Sequence, residues 1–241
     1  MINKSENNPT LFLIPTPLGD ADFTHLFPLY NAEISNEIDA FFVENLRTAR
    51  RFLLQLGMKT AIDDLFFFSF QQNRKLSDAI AFLKEQHAFG RNIGLLSDAG
   101  TPCVADPGSA IVAEAHRLNM KVKPLVGPNS IILALMASGL NGQSFAFNGY
   151  LPIGQHEREK ELRFFESLLV KNGQTQVFIE TPYRNHHLLA SICAVCQPNT
   201  KLCVAIQLTT PEEVIITDTV AQWRKKRINF HKKPAIFLLG R

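Results

Sequence analysis

No stretch of this chain approaches the roughly 18 consecutive apolar residues of a membrane-spanning helix. Its opening residues, MINKSENNPT, carry no apolar core of the kind found in a secretory leader. The expectation from these two absences is a soluble, cytoplasmic protein. Strong charge of either sign is also missing: 25 Lys and Arg stand against 22 Asp and Glu, a net charge of +3 in 241 residues. Charge alone therefore does not mark a nucleic-acid binder. Cysteine is scarce, with four residues: Cys103, Cys193, Cys196 and Cys203. One C-x-x-C at 193–196 lies behind His186 and His187, but no second pair completes a metal-binding pattern. HHLLASICAVC has helical periodicity and KLCVAI reads as a strand, so these thiols are expected to be small core residues, and no metal is expected. Both phosphate-cradling signatures, G-x-G-x-x-G and G-x-x-x-x-G-K-[ST], are absent, so a ligand need not carry phosphates.

What is present is a globular composition, 46% hydrophobic with mean hydropathy near zero. In the first half, strand and helix patterns alternate. LFLI (11–14), IDAFFVE (38–44), DLFFFSF (64–70), IGLLSD (93–98) and VKPLV (122–126) read as strands. SDAIAFLKEQ (77–86), with Ser77 as its cap, DPGSAIVAEAHRL (106–118) and the run after GPNS, ended by Gly139, read as helices. Apolar strands without alternation, separated by helices, indicate a parallel sheet covered on both faces. The second half has another rhythm. SFAFNGYLP (144–152) breaks the pattern, and EREKELRFFESLLVKNG is a charged amphipathic helix. QVFIE (176–180), KLCVAIQL (201–208), EVIITDT (213–219) and AIFLLG (235–240) are strands. Only TTPE separates two of them, too little for a crossover, so they pair antiparallel. The fold class is α/β with two α/β domains: residues 10–140 around a mostly parallel sheet, and 145–241 around a mixed sheet.

In open parallel sheets ligands lie beyond the carboxyl ends of the strands. PTPLGD (15–20), SDAGTPCVADPG (97–108) and VGPNS (126–130) all fall there, and Gly19, Gly100, Gly108 and Gly127 let a ligand approach the main chain. Asp106-Pro107 also reads as a helix cap followed by Pro in the first turn. Asp98 has no helix to cap and suits a ribose hydroxyl or an amine.

LFLIPTPLGD, SDAGTPCVADPG, GPNSIILALMASGL, FNGYLP and IETPYR, in this order, resemble the tetrapyrrole methylase superfamily, the class III methyltransferases. The nearest branch is the bacterial one that methylates a cytidine ribose 2′-oxygen of small-subunit ribosomal RNA. The resemblance covers about residues 11–240. It implies two α/β domains with S-adenosylmethionine in the cleft between them, and a homodimer. It also implies cofactor contacts at Pro17, Leu18 and Gly19; at Ser97, Asp98, Ala99 and Gly100; at Asp106, Pro107 and Gly108; at Gly127 and Pro128; and at Glu180 and Pro182, with Arg184 toward the substrate. Some positions depart from the branch. E-D-T-R-x-T becomes ENLRTA, keeping Glu44 and Arg47 but placing Asn45, Leu46 and Ala49. H-E-H-N becomes FQQN (70–73), with Gln71 inside it. R-E-L-T-K becomes IQLTT (206–210), with Gln207, and Asn129 stands where serine is usual. The cofactor-side loops are largely kept while the acceptor side has changed, leaving RNA or a small tetrapyrrole-like molecule as acceptor, or a cofactor-binding protein without turnover.

A ribose hydroxyl is a weak acid that gains from a general base. Glu44 is the candidate, with Arg47 beside it; the other reading of the two is a surface ion pair three residues apart. Arg47, Arg50 and Arg51 suit RNA phosphates, or form a solvated helix face. WRKKRINFHKK (223–233) interleaves charge and rings as single-strand binders do. It also reads as a helix end whose dipole favours cations, with Trp223 packed beneath.

Overall fold

Four apolar runs and the mixed run KVKP make the first sheet: β1 (Thr10–Ile14), β2 (Ala40–Val43), β3 (Phe66–Ser69), β4 (Ile93–Leu96) and β5 (Lys121–Pro124). The computed structural model describes residues 9–72 and 75–241. The strands lie in the order β3-β2-β4-β1-β5 and every pairing is parallel. Among the described residues five α-helices connect them: α1 (Phe23–Leu26), α2 (Leu29–Ser35), α3 (Leu46–Leu56), α4 (Leu76–Ala88) and α5 (Ser109–Arg117). Alternation along each strand feeds two cores. Phe12, Ile14, Phe41 and Val43 meet Ile34 of α2 and Phe52 and Leu53 of α3. Leu11, Phe42, Phe68 and Leu95 meet Leu83 of α4 and Ile111 of α5. Both faces are thus covered, as a parallel sheet requires.

The order of the strands decides where loops open. The chain steps from β1 to β2 to β3 in one direction, then turns back through β4 to β5. Right-handed crossovers put the helices of the two journeys on opposite faces, as the two cores record. Between neighbouring β2 and β4 the connections depart in opposite directions, which leaves a crevice at their carboxyl ends.

The chain divides at Pro128 and Asn129 into two units. The second contains α6 (Ser130–Ser138), β6 (Phe145–Tyr150), α7 (Gln155–Asn172), β7 (Thr175–Ile179), α8 (Asn185–Val195), β8 (Lys201–Ile206), β9 (Val214–Thr219), α9 (Val220–Trp223) and β10 (Ala235–Gly240). Its sheet runs β6-β7-β10-β8-β9, parallel only at β6–β7, so it is mixed as expected. Leu162 and Leu169 of α7, Leu188 and Ile192 of α8, and Trp223 pack into one core with Phe178 and Phe237. The Trp223 Nε1–H donates to the Leu202 carbonyl at 2.8 Å, so the ring is satisfied as well as covered.

Four expectations need correction. The helix placed at the end of the 10–140 domain is α6, and it packs on β8, β9 and β10, with the Thr217 hydroxyl donating to the Ser138 carbonyl at 2.8 Å. It therefore belongs to the second unit. FAFNGY is a strand: its pattern is hidden because the register against β7 shifts between Phe147 and Tyr150, where Gly149 takes φ of 65°. Ser77 does not cap α4, which begins at Leu76 after Lys75; the Ser77 hydroxyl turns to Asp78. Asp106 does not cap α5, whose cap position is Gly108 at φ 128°. Gly139 ends α6 as the sequence predicts, and Asn129 caps its start. The Asn129 side chain accepts from the Ile132 N–H, and Gly139 is left-handed at φ 69°.

Candidate active site

The loops leaving β1, β4 and β5 are joined to one another before any ligand is considered. Thr16 and Gly100 exchange backbone hydrogen bonds of 2.9 and 3.0 Å in an antiparallel bridge. The buried Thr16 hydroxyl donates to the Ser97 carbonyl at 3.2 Å, and the Ser97 hydroxyl to the Gly100 carbonyl at 2.6 Å. Gly100, at φ 79°, is required twice over: a Cβ there would be strained, and would lie 3.0 Å from Leu18 and 3.5 Å from the Pro128 carbonyl. At Gly127 a Cβ would come within 2.5 Å of Pro15. A hollow of about 400 Å³ opens beside these turns, lined by Pro17, Leu18, Gly19, Ser97, Asp98 and Ala99, with Arg51 and Phe52 on its α3 side. That volume lies within the range of small-molecule sites.

At the β2/β4 crevice three carboxylates gather. Glu44 follows β2, and Asp98 and Asp106 follow β4. Burial raises the Asp106 carboxyl first, and the charges of Glu44 and Asp98 raise it further, to about 6. Glu44 is raised by burial and then by Asp98. Asp98 is raised by burial, against the pull of the Asn45 N–H that donates to its Oδ1 at 3.2 Å. Among the described residues no cation lies within ion-pair distance of the three. Like charges gathered this way titrate as a set and hold a proton at higher pH than isolated carboxylates.

Asn45 organises the crevice. Its Oδ1 caps α3, accepting from the N–H groups of Arg47 and Thr48 at 2.9 and 3.2 Å. Its Nδ2 donates to Gln71 Oε1 at 3.2 Å. The Ser69 hydroxyl and the Gln71 N–H hold the Glu44 carbonyl at 3.1 and 3.4 Å, so the ends of β2, β3 and β4 are tied together.

The profile of the Tetrapyrrole (Corrin/Porphyrin) Methylases matches residues 29–223. The chain belongs to the tetrapyrrole methylase family. It is an S-adenosylmethionine-dependent methyltransferase of that family. It is 32% identical over 216 residues to ribosomal RNA small subunit methyltransferase I of Vibrio cholerae, covering 88% of this chain and 70% of that one. It is 30% identical over 233 residues to the protein of that name from Escherichia coli O157:H7, covering 95% and 77%. Among solved structures, diphthine synthase superposes with a TM-score of 0.66 at 16% identity, covering 96% of this chain and 89% of that one. The methyltransferase CobJ gives 0.63 at 18%, covering 98% and 94%. At those identities the two structures speak for the fold.

The tetrapyrrole methylase fold distributes the remaining expected site residues unevenly. Arg47 is exposed on the first turn of α3 and makes no ion pair with Glu44, so the surface-pair reading of those two residues fails. Arg50 is engaged elsewhere, 3.3 Å from Asp63 with its guanidinium 5.6 Å from the Phe67 ring centroid. Arg51 faces the hollow. Pro107 is exposed in the turn before α5, and Gly108 fits where a Cβ would meet Leu95 at 2.9 Å. In the second unit Glu180 accepts the Arg184 guanidinium at 2.5 and 2.9 Å and the Thr181 N–H at 2.6 Å, and the Pro182 carbonyl accepts the Lys232 N–H. Asn73, at the end of FQQN, lies outside the described residues. Sequence reasoning missed Thr16 and the linking roles of Asn45 and Gln71. A polar residue set between Pro15 and Pro17 was the one available signal for Thr16.

Proposed function

We propose that this methyltransferase holds S-adenosylmethionine on the turns after β1, β4 and β5 and transfers its methyl group to RNA, at a ribose 2′-oxygen of the small ribosomal subunit. The observation that carries the reading is the juxtaposition of a glycine-shaped hollow with a trio of carboxylates that no cation among the described residues neutralises. The relatives named for small-subunit ribosomal RNA support the acceptor. The hollow fits the cofactor by its chemistry: backbone groups at Pro17–Gly19 and Ala99 suit a cation, and the Asp98 carboxylate suits a hydroxyl or amine. When bound, the cofactor supplies an electrophilic methyl on a sulfonium.

The rest falls to the chain's own residues. The turns would hold the cofactor while the crevice positions the acceptor, and positioning of that kind contributes up to roughly 7–11 kcal/mol. The hydroxyl proton passes to the carboxylate set of Glu44, Asp98 and Asp106, whose raised affinity for protons suits a base working near neutral pH. Arg47 and Arg51 take phosphates of the RNA, Arg50 being held by Asp63. We extend the proposal to a cytoplasmic homodimer, supported by the exposed Ile132 and Met136 on the outer face of α6. No helix among the described residues is long and apolar enough to cross a membrane.

The test is tritiated methyl transfer to small ribosomal subunits lacking the modification, run beside free RNA, protein and small-molecule fractions. Label in the subunit RNA is expected. Label confined to another fraction, or saturable cofactor binding with no label anywhere, overturns the acceptor; light scattering checks the dimer.

A further inference from the structure

Residues 223–233 contain six Lys or Arg and no acidic residue, while the whole chain carries +3, so without this stretch the protein would be net acidic. A helix end accounts for only part of this charge: Arg224 donates to the Cys193 and Cys196 carbonyls at the end of α8 at 2.8 and 3.2 Å. The helix α9 is a single turn ending at Trp223, and the cations follow it in an extended surface loop. That loop is built rather than loose. Asn185, fully buried at the start of α8, donates through its Nδ2 to the carbonyls of Phe230 and Lys233 at 3.4 and 2.7 Å. The Lys232 N–H donates to the Pro182 carbonyl at 3.1 Å.

The loop is thereby pinned against a row of rings. His186 lies 4.7 Å from Phe230 and 6.2 Å from His231, centroid to centroid, the two imidazoles within 22° of parallel. Tyr183 meets His231 edge-on at 6.2 Å, and the Lys232 ammonium lies 5.6 Å from the Tyr183 ring centroid. Tyr183 is 66% exposed. Beside the row is a hollow of about 420 Å³ lined by His186, Trp223, Lys226 and Arg227. Lys226 and Lys233 spend their charge on Asp218 and Glu212. Among the described residues Lys225 and Arg227 have no acidic partner, and both are exposed.

We propose that this surface of the second unit, Tyr183, His186 and His231 with Lys225, Arg227 and Lys232, is a docking site for single-stranded RNA. Exposed rings give bases a sequence-tolerant stacking platform, and flanking cations follow the phosphates. The assignment rests on RNA being the acceptor, and it adds a holding surface on the second unit.

The experiment measures fluorescence anisotropy of a labelled single-stranded RNA oligonucleotide across a salt series. The proteins are wild type, the double variant Lys225→Glu/Arg227→Glu, and Tyr183→Ala, each also passed over anionic phosphatidylserine vesicles. The double variant is expected to bind RNA at least about tenfold more weakly, with a log–log salt slope smaller by about 1.4, from two lost phosphate contacts. Its S-adenosylmethionine affinity by calorimetry stays unchanged. Tyr183→Ala weakens RNA about tenfold, the worth of one stack. Unchanged RNA affinity and slope in the double variant overturns the proposal, as does a charge-dependent grip on vesicles without one on RNA. If wild type methylates ribosomal RNA and the double variant binds RNA equally well, this inference alone fails. If no RNA is methylated yet the variants lose RNA affinity, the acceptor fails and the docking surface stands.

Discussion

Carboxylates wholly or partly withdrawn from water are treated differently in the two units. In the second, Glu180 is gripped by Arg184 and the Thr181 N–H, and Glu166 of α7 accepts the Gln197 N–H at 2.8 Å and the Thr200 hydroxyl at 2.5 Å. Each is held by several donors, Glu180 within its own turn and Glu166 across to the segment that leads into β8. In the first, Glu44, Asp98 and Asp106 face one another, with backbone N–H groups their only close donors among the described residues. A carboxylate with partners stabilises the fold. A carboxylate left with other carboxylates costs stability and gains an appetite for protons, which a structural role does not need and a proton-transfer role does.

That contrast can be broken most directly by removing proton acceptors from the crevice. Glu44→Gln and Asp106→Asn are each expected to lower turnover by about 100- to 1,000-fold with little change in cofactor affinity, within the range of a lost general base. Single-turnover methyl transfer beside calorimetry separates the two quantities, and undiminished rates in both variants would remove the crevice from the chemistry. Next in size, Arg184→Ala removes the guanidinium from Glu180, whose side chain is 2% exposed, and leaves it only the Thr181 N–H. A loss of about 3 kcal/mol in urea unfolding is expected. Gly100→Ala comes third: a strained left-handed residue pressed on Leu18 costs about 1–2 kcal/mol of stability and roughly tenfold in S-adenosylmethionine affinity, read by calorimetry. Asp98→Ala should also weaken cofactor binding.

The smallest effect carries the opposite sign. Asp106 is protonated in both the folded and unfolded states well below pH 3.8, and its folded value is about 6. Its contribution to stability is present at low pH and is lost as pH rises from about 4 to about 6. Asp106→Asn should therefore raise stability at pH 8 by about 1 kcal/mol, after allowing for solvent screening of a half-buried group. That is some 2–4 °C in thermal unfolding. A variant less active and more stable marks a residue kept for chemistry.

The parallel sheet was legible in the sequence because LFLI, AFFV and IGLL are short apolar runs without alternation, set between helical patterns, as strands covered on both faces are. The rim was legible because glycine and proline follow those runs directly. Asp106 was misread because Asp-Pro before a helix is also a capping pattern, and local sequence cannot say that Gly108 takes the cap while the carboxylate turns toward Glu44, 62 residues away along the chain. The α6 helix was assigned to the wrong unit for a related reason: SIILALMAS is apolar on nearly every side, so its composition does not reveal which sheet it covers. β6 escaped notice because Gly149 and the shifted register erase the periodicity on which strand recognition depends.

The two-bond bridge between Thr16 and Gly100 has a bearing on recognition. Floppy turns lose conformational freedom when a small molecule settles on them, and that loss is subtracted from affinity. Here the turns after β1 and β4 are already clipped together by their own amides, with Ser97 as a second catch. Their rigidity is settled during folding, so a guest arriving at this edge finds a socket already in shape.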